Sequence, residues 1–225
     1  MTSLPIVEIT DLVILPPGTS RRYACPRFAV APGAVMAVVC DQPVDAGPFL
    51  RMLATLDCPA QGTIRFDGRP LDLDDYRQCL PVKRRIGYVA ADAAMISNLT
   101  LRENLLLSRF YFENDLTVEL DESVAVLCCD AGLGSKLDLR PAALSDAELL
   151  KAITIREMAK APLLMLVHRP ENFIAIADTD AIFNGLKNMV QSGTAVVFFS
   201  HNPGMIDLAT SQLTLSGGEI HLQSV

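Results

Sequence analysis

Three short apolar runs constrain the fold more than any other feature: VMAVV (35–39), LLMLV (163–167) and TAVVFFS (194–200). Strands covered by helices on both faces read as unbroken apolar stretches of this length rather than as alternating apolar and polar residues. Helical spacing runs from Phe49 to Leu56, with Pro48 suited to a first helical turn. It recurs over 101–112, 121–131, 145–160 and 178–191. Further strands are predicted over 6–15, 28–39, 63–68 (ending in a turn at Asp67-Gly68) and 86–90, and residues 212–223 read as a hairpin. The centre, about 92–160, is rich in helix and strands flank it. The pattern predicts one α/β domain over 1–225, with a mostly parallel sheet and an inserted helical subdomain.

Composition narrows the function. The net charge is −7, and an acidic chain gains nothing from releasing nucleic-acid counterions, so no nucleic-acid partner is expected. Tryptophan is absent, which removes the best base-stacking platform. No apolar run approaches the ~20 residues needed to span a bilayer, and MTSLPIVEIT lacks the basic and apolar regions of a signal peptide. A cytoplasmic location is therefore expected, with no direct membrane insertion and membrane contact only through another protein. The cysteines (Cys25, Cys40, Cys58, Cys79, Cys128, Cys129) form no CxxC pair; free thiols and no metal site are expected.

The segment after VMAVV stands where a phosphate-binding loop would follow a strand. Such a loop needs G-x-x-x-x-G-K-[ST]: the glycines let amides converge on phosphate, the lysine neutralises charge and the hydroxyl ligates Mg²⁺. The chain has CDQPVDAGP (40–48). In an ungapped frame Cys40 stands at the first glycine, Asp45 at the second, Ala46 at the lysine and Gly47 at the hydroxyl. Pro43 and Pro48 carry no amide proton. The flanks PGAVMAVV and FLRMLATL, with PAQGTIRFDG (59–68), resemble the ABC ATPase family.

The resemblance continues along the chain. KRRIGYVAADAAMISNLTLRENLLL (83–107) is similar to the family's Q-loop region, with Ala91 at the glutamine. LTLRENL (99–105) matches the stretch that helps form the groove for a permease, which implies a partner surface including Leu99, Thr100, Arg102 and Glu103. LSDAELLKAITIREMAKAPLLMLVHRP (144–170) resembles the signature helix and Walker B strand. Ser145 is kept and Asp146 replaces a signature glycine. His168 and Arg169 stand at the Mg²⁺-binding aspartate and the water-polarising glutamate. His201 matches the switch histidine. The copy of the signature at 215–219, LSGGE, reads instead as a turn of the terminal hairpin.

The resemblance implies an ABC ATPase fold of the P-loop NTPase type, with an antiparallel portion beside the parallel sheet. It implies permease partners and a homodimer or a heterodimer with another ABC ATPase. The substitutions argue against the chemistry. Asp45 places a carboxylate where polyphosphate would lie, and like charges ~4 Å apart repel by ~4 kcal/mol at an effective dielectric of ~20. No ATP, Mg²⁺ or other cofactor is expected, and the chain reads as a pseudo-ATPase subunit with a structural or regulatory role. Two alternatives stand: an ATP hydrolase with relocated groups, using Asp41 and Asp45 for Mg²⁺, and a binding or scaffold protein reusing the fold. Tyr23 is open between stacking on an adenine and simple packing.

Overall fold

The computed structural model describes residues 4–114, 118–173 and 180–224. Strands β1 (Val7–Ile14) and β2 (Tyr23–Val30) form an antiparallel pair, followed by β3 (Val35–Cys40) and helix α1 (Ala46–Leu53). Then come β4 (Gln61–Phe66), β5 (Arg69–Leu71), α2 (Tyr76–Arg84) and β6 (Ile86–Val89). The helical centre holds α3 (Leu101–Glu113), α4 (Glu122–Asp130) and α5 (Asp146–Met158). The chain continues through β7 (Leu164–His168), α6 (Asp180–Gln191), β8 (Ala195–Phe199), α7 (Pro203–Ile206) and the hairpin β9 (Ser211–Ser216) and β10 (Glu219–Ser224).

The strands form one sheet in the order β5-β4-β1-β2-β10-β9-β3-β8-β7-β6. From β9 to β6 neighbours are parallel, and from β5 to β2 they are antiparallel. The three apolar runs are the interior parallel strands β3, β7 and β8. Their alternate residues serve two cores. Met36, Val38, Leu164, Leu166, Val197 and Phe199 face a cluster containing Phe49 and Leu50 of α1. Ala37, Met165, Val167, Val196 and Phe198 face a second cluster built on α3 to α6. Burial on both faces removes the period-two signal, as the sequence led us to expect.

The expected strand 28–39 is two strands. Pro32 and Gly33 break it with a tight turn, in which Gly33 takes φ +71° and the Ala34 amide donates to Ala31 O at 3.2 Å. Helix α2 was not foreseen. Pro81 lies inside it and blurs its helical period, although Asp75 caps its start by accepting from the Arg77 amide. Helices α3 and α5 each begin with a capping box, Thr100 with Glu103 and Ser145 with Glu148.

Candidate functional site

The loop between β3 and α1 is a closed turn. Pro43–Asp45 form a 3-10 turn that runs directly into α1. The Asp45 amide donates to Gln42 O at 2.9 Å, the Ala46 amide donates to Pro43 O, and the Asp41 amide donates to Leu215 O at 3.1 Å. Those donors, with the two prolines, are therefore unavailable to an outside anion. Ala46 is fully buried, whereas Gly47 has open space where a Cβ would stand. The buried Cys40 thiol is pushed up to about 12, by desolvation first and then by the charges of Asp45 and Asp41. It is a neutral packing group.

Asp45 corrects the expected electrostatics. Its side chain does not project into the loop as an uncompensated charge: the residue is 0 % exposed. Arg21 holds it with a two-pronged contact, Nε to Oδ2 at 2.6 Å and Nη2 to Oδ1 at 2.9 Å, and Tyr23 donates its hydroxyl to Oδ2 at 2.7 Å. Burial pulls the Asp45 pKa upward, but the hydrogen bonds from Arg21 and Tyr23 and the guanidinium charge outweigh it, and the carboxyl stays below its ordinary value. Burial, then the bond to Asp45, lifts Tyr23 to about 12. At 2 % exposed, Tyr23 has no free ring face for an adenine; its ring packs in the core and its hydroxyl holds Asp45. Sequence reading missed Arg21 because nothing in the loop motif points to the strand entrance.

Asp41 is engaged as well, accepting the Gly217 amide at 3.3 Å. The LSGGE segment is the turn of the terminal hairpin and it packs against the loop. Both carboxylates proposed for a relocated Mg²⁺ site are thus held by protein donors. Among the described residues no group of three or more His, Cys, Asp or Glu side chains is placed to hold a metal ion.

His168 ends β7 half-buried, its ring centroid 5.2 Å from that of Phe199, which in turn lies 4.7 Å from His201. Burial, then the charge of Arg169, lowers the His168 pKa. Arg169 adopts φ +60° with its amide donating to Phe199 O at 2.8 Å, and its side chain is exposed. The neighbouring carboxylate is Glu171, which accepts from Ser200 Oγ at 2.7 Å and from the His201 amide at 3.5 Å. The sequence frame did not single it out. Ala91 lies exposed just beyond β6.

At the signature segment, Ser145 accepts from the Glu148 amide at 3.4 Å while Glu148 accepts from the Ser145 amide at 2.9 Å. Asp146 is exposed in the first turn. The capping box and a contact from Lys136 lower Glu148 to about 2, the Lys136 bond being the larger cause.

The candidate partner surface is more engaged than expected. Thr100 and Glu103 bond to each other, and Arg102 Nε donates to Asp138 at 3.0 Å. The buried Asn104 holds the segment before α3: it accepts from the Ile96 amide at 2.8 Å and donates to Ile96 O at 3.1 Å and Thr100 O at 2.9 Å. Further along α3, Leu105, Leu106 and Arg109 line a cavity of about 300 Å³ with Arg84, Arg156 and Lys160. Leu99, Thr100, Arg102 and Glu103 are not in that lining.

No family model matches the chain. Among curated proteins it is 23 % identical over 194 residues to the lipoprotein-releasing system ATP-binding protein LolD of Aquifex aeolicus, covering 86 % of each chain. It is 28 % identical over 206 residues to the molybdenum import ATP-binding protein ModC of Brucella melitensis, covering 90 % of this chain and 56 % of ModC. Its fold is that of ABC cassettes. The structure of an ATP-binding subunit of an ABC transporter matches with a TM-score of 0.81 at 18 % identity, over 98 % of this chain and 90 % of that one. The dimeric cassette MJ0796 bound to ADP and Pi matches with a TM-score of 0.78 at 19 % identity, over 97 % and 98 %.

Proposed function

We propose, from the ABC transporter ATP-binding protein family that these relatives support, that the chain is a catalytically inactive, nucleotide-binding-domain-like subunit docked to membrane permease subunits. One observation carries this reading. The position of the loop's second glycine holds Asp45, buried and bonded to Arg21 and Tyr23, in a turn whose amides at Asp45 and Ala46 are already donated. Phosphate binding would need several bonds of ~1.5–3 kcal/mol each from these atoms, against ~8 kcal/mol in all for micromolar affinity. The residues present do not fit Mg-ATP in the family's mode. The expected result of isothermal titration is no tight Mg-ATP binding; micromolar binding would overturn the reading.

Docking is supported by the cavity between α2, α3, α4 and α5, where Leu105 and Leu106 lie beside Arg84 and beside Arg109, the latter paired with Glu113 and Asp121 of the same lining. Among the described residues no helix is long and apolar enough to cross a membrane. On this reading the subunit reaches the inner face of the cell membrane through its permease, as a homodimer or beside another ABC ATPase. Arg84, exposed and stacked 5.3 Å over the Phe112 ring, is the better test residue, because Glu103 also caps α3. Arg84→Glu is expected to reduce co-purification with the permease while leaving the fold intact; unchanged recovery argues against docking there.

A second reading, hydrolysis by relocated groups, has one observation in its favour: Glu171 lies beside Ser200 and His201. Phosphate release abolished by Glu171→Gln would support it.

A further inference from the structure

We infer that Arg21 and Tyr23 form an anion cradle at the mouth of β2, and that the chain's own Asp45 carboxylate fills it, so that the loop is held by an internal ligand in place of a bound one. The geometry has the features of a built anion site. The guanidinium meets both carboxylate oxygens in parallel, at 2.6 and 2.9 Å, and a buried hydroxyl adds a third donor at 2.7 Å. Arg21 is 36 % exposed at its side chain and Asp45 1 %, so the cradle opens to solvent on the arginine side and is sealed on the other. A small anion could therefore reach the guanidinium if the native carboxylate were gone.

The latch also accounts for the closed loop with Cys40 and Asp45 at the two glycine positions of the motif. A phosphate loop gathers its amides around a ligand. Here the Asp45 side chain anchors α1 to the β2 entrance, while the Asp45 and Ala46 amides close the turn behind it. Anchor and turn are the same residue, so the loop's conformation is coupled to the ion pair. The inference deepens the inactive reading of this loop and rests on it for the claim that no phosphate competes.

The test is chemical rescue. Asp45→Ala empties the cradle and keeps a backbone conformation that alanine readily adopts, since Asp45 has φ −82°. Thermal melts would be run in sodium formate and in sodium chloride at equal ionic strength. Asp45→Ala should melt lower than the unaltered protein and recover part of the loss in formate only. The unaltered protein and the Arg21→Ala/Asp45→Ala double variant should not distinguish the two salts. Equal behaviour of Asp45→Ala in both salts would overturn the proposal.

Should Asp45→Ala not fold, Arg21→Lys and Tyr23→Phe carry the test by hydrogen exchange. Protection of the Asp45 and Ala46 amides should fall by at least about 10-fold, the loss equivalent to one hydrogen bond to a charged group. Unchanged protection in both would overturn it. Tight Mg-ATP binding by the unaltered chain would remove the inactive reading instead, leaving the latch to be judged on the formate arm.

Discussion

Replacing Asn104 by alanine should loosen the segment that leads into α3 without touching any exposed surface. The side chain is fully buried and makes three well-formed bonds, from Ile96 N at 2.8 Å and to Ile96 O and Thr100 O at 3.1 and 2.9 Å, with a longer one to Leu99 O at 3.4 Å. A neutral hydrogen bond contributes a net ~1 kcal/mol, so the three short ones sum to about 3 kcal/mol. Ile96 is exposed, and water can reach its backbone once the amide is gone, which brings the expected cost to about 2–3 kcal/mol. At ~2–4 °C per kcal/mol for a chain of this size, the melting temperature should fall by about 4–12 °C. Urea unfolding would give the free energy, and hydrogen exchange should report lost protection at the Ile96 amide. If the chain docks as proposed, co-purification with a permease should weaken too, although a buried residue cannot touch a partner. A loss below ~0.5 kcal/mol with unchanged Ile96 protection would refute the reasoning.

Two further perturbations test the electrostatics and the packing. Asp45 and Glu148 have depressed carboxyl pKa values, so their unfolded forms bind protons first as pH falls. The stability they contribute is present above the ordinary carboxylate value and lost as pH drops from 4.5 towards about 2; His168, lowered from 6.5, adds an earlier decline as pH falls through 6.5. Urea titrations between pH 7 and pH 3 should show both declines, and a flat profile would contradict them. Gly87→Ala should destabilise by ~1–3 kcal/mol through overpacking, because a Cβ there would stand 2.6 Å from Met165 Sδ and 3.1 Å from Glu157 O; an unchanged urea midpoint would show that Met165 moves aside at no cost.

Much of the fold was legible because the parallel strands advertise themselves. Leu164–His168 and Ala195–Phe199 are buried on both faces and carry no polar interruption until their ends. The split of 28–39 was readable in Pro32-Gly33, yet the apolar residues on either side hid it. The site was harder. The frame of the loop could be read residue by residue, but the sign of its electrostatics could not. Asp45 looks like a bare negative charge in sequence, and only the fold brings Arg21, 24 positions earlier, against it. Glu103 and Ser145 are a different case. Their spacing to Thr100 and Glu148 is that of a capping box, a local signal that was available and that the resemblance to a docking groove and a signature motif overshadowed.

The position of β9 and β10 in the sheet has a consequence for how the chain is made. They lie between β2 and β3, and β10 meets β2 at Glu219 and Ala24 while β9 pairs with β3 along Met36–Cys40. The antiparallel strands β1, β2, β4 and β5 are all synthesised by residue 71, yet the pair that joins them to the parallel strands begins at residue 211. At ~5–20 residues per second, a nascent chain waits about 7–28 s for that join. Throughout the interval one edge of β2 presents unpaired backbone, and so do both edges of β3 until β8 is made at residues 195–199, the feature that recruits stray strands. Slower translation lengthens that exposure and should therefore lower the yield of folded chain.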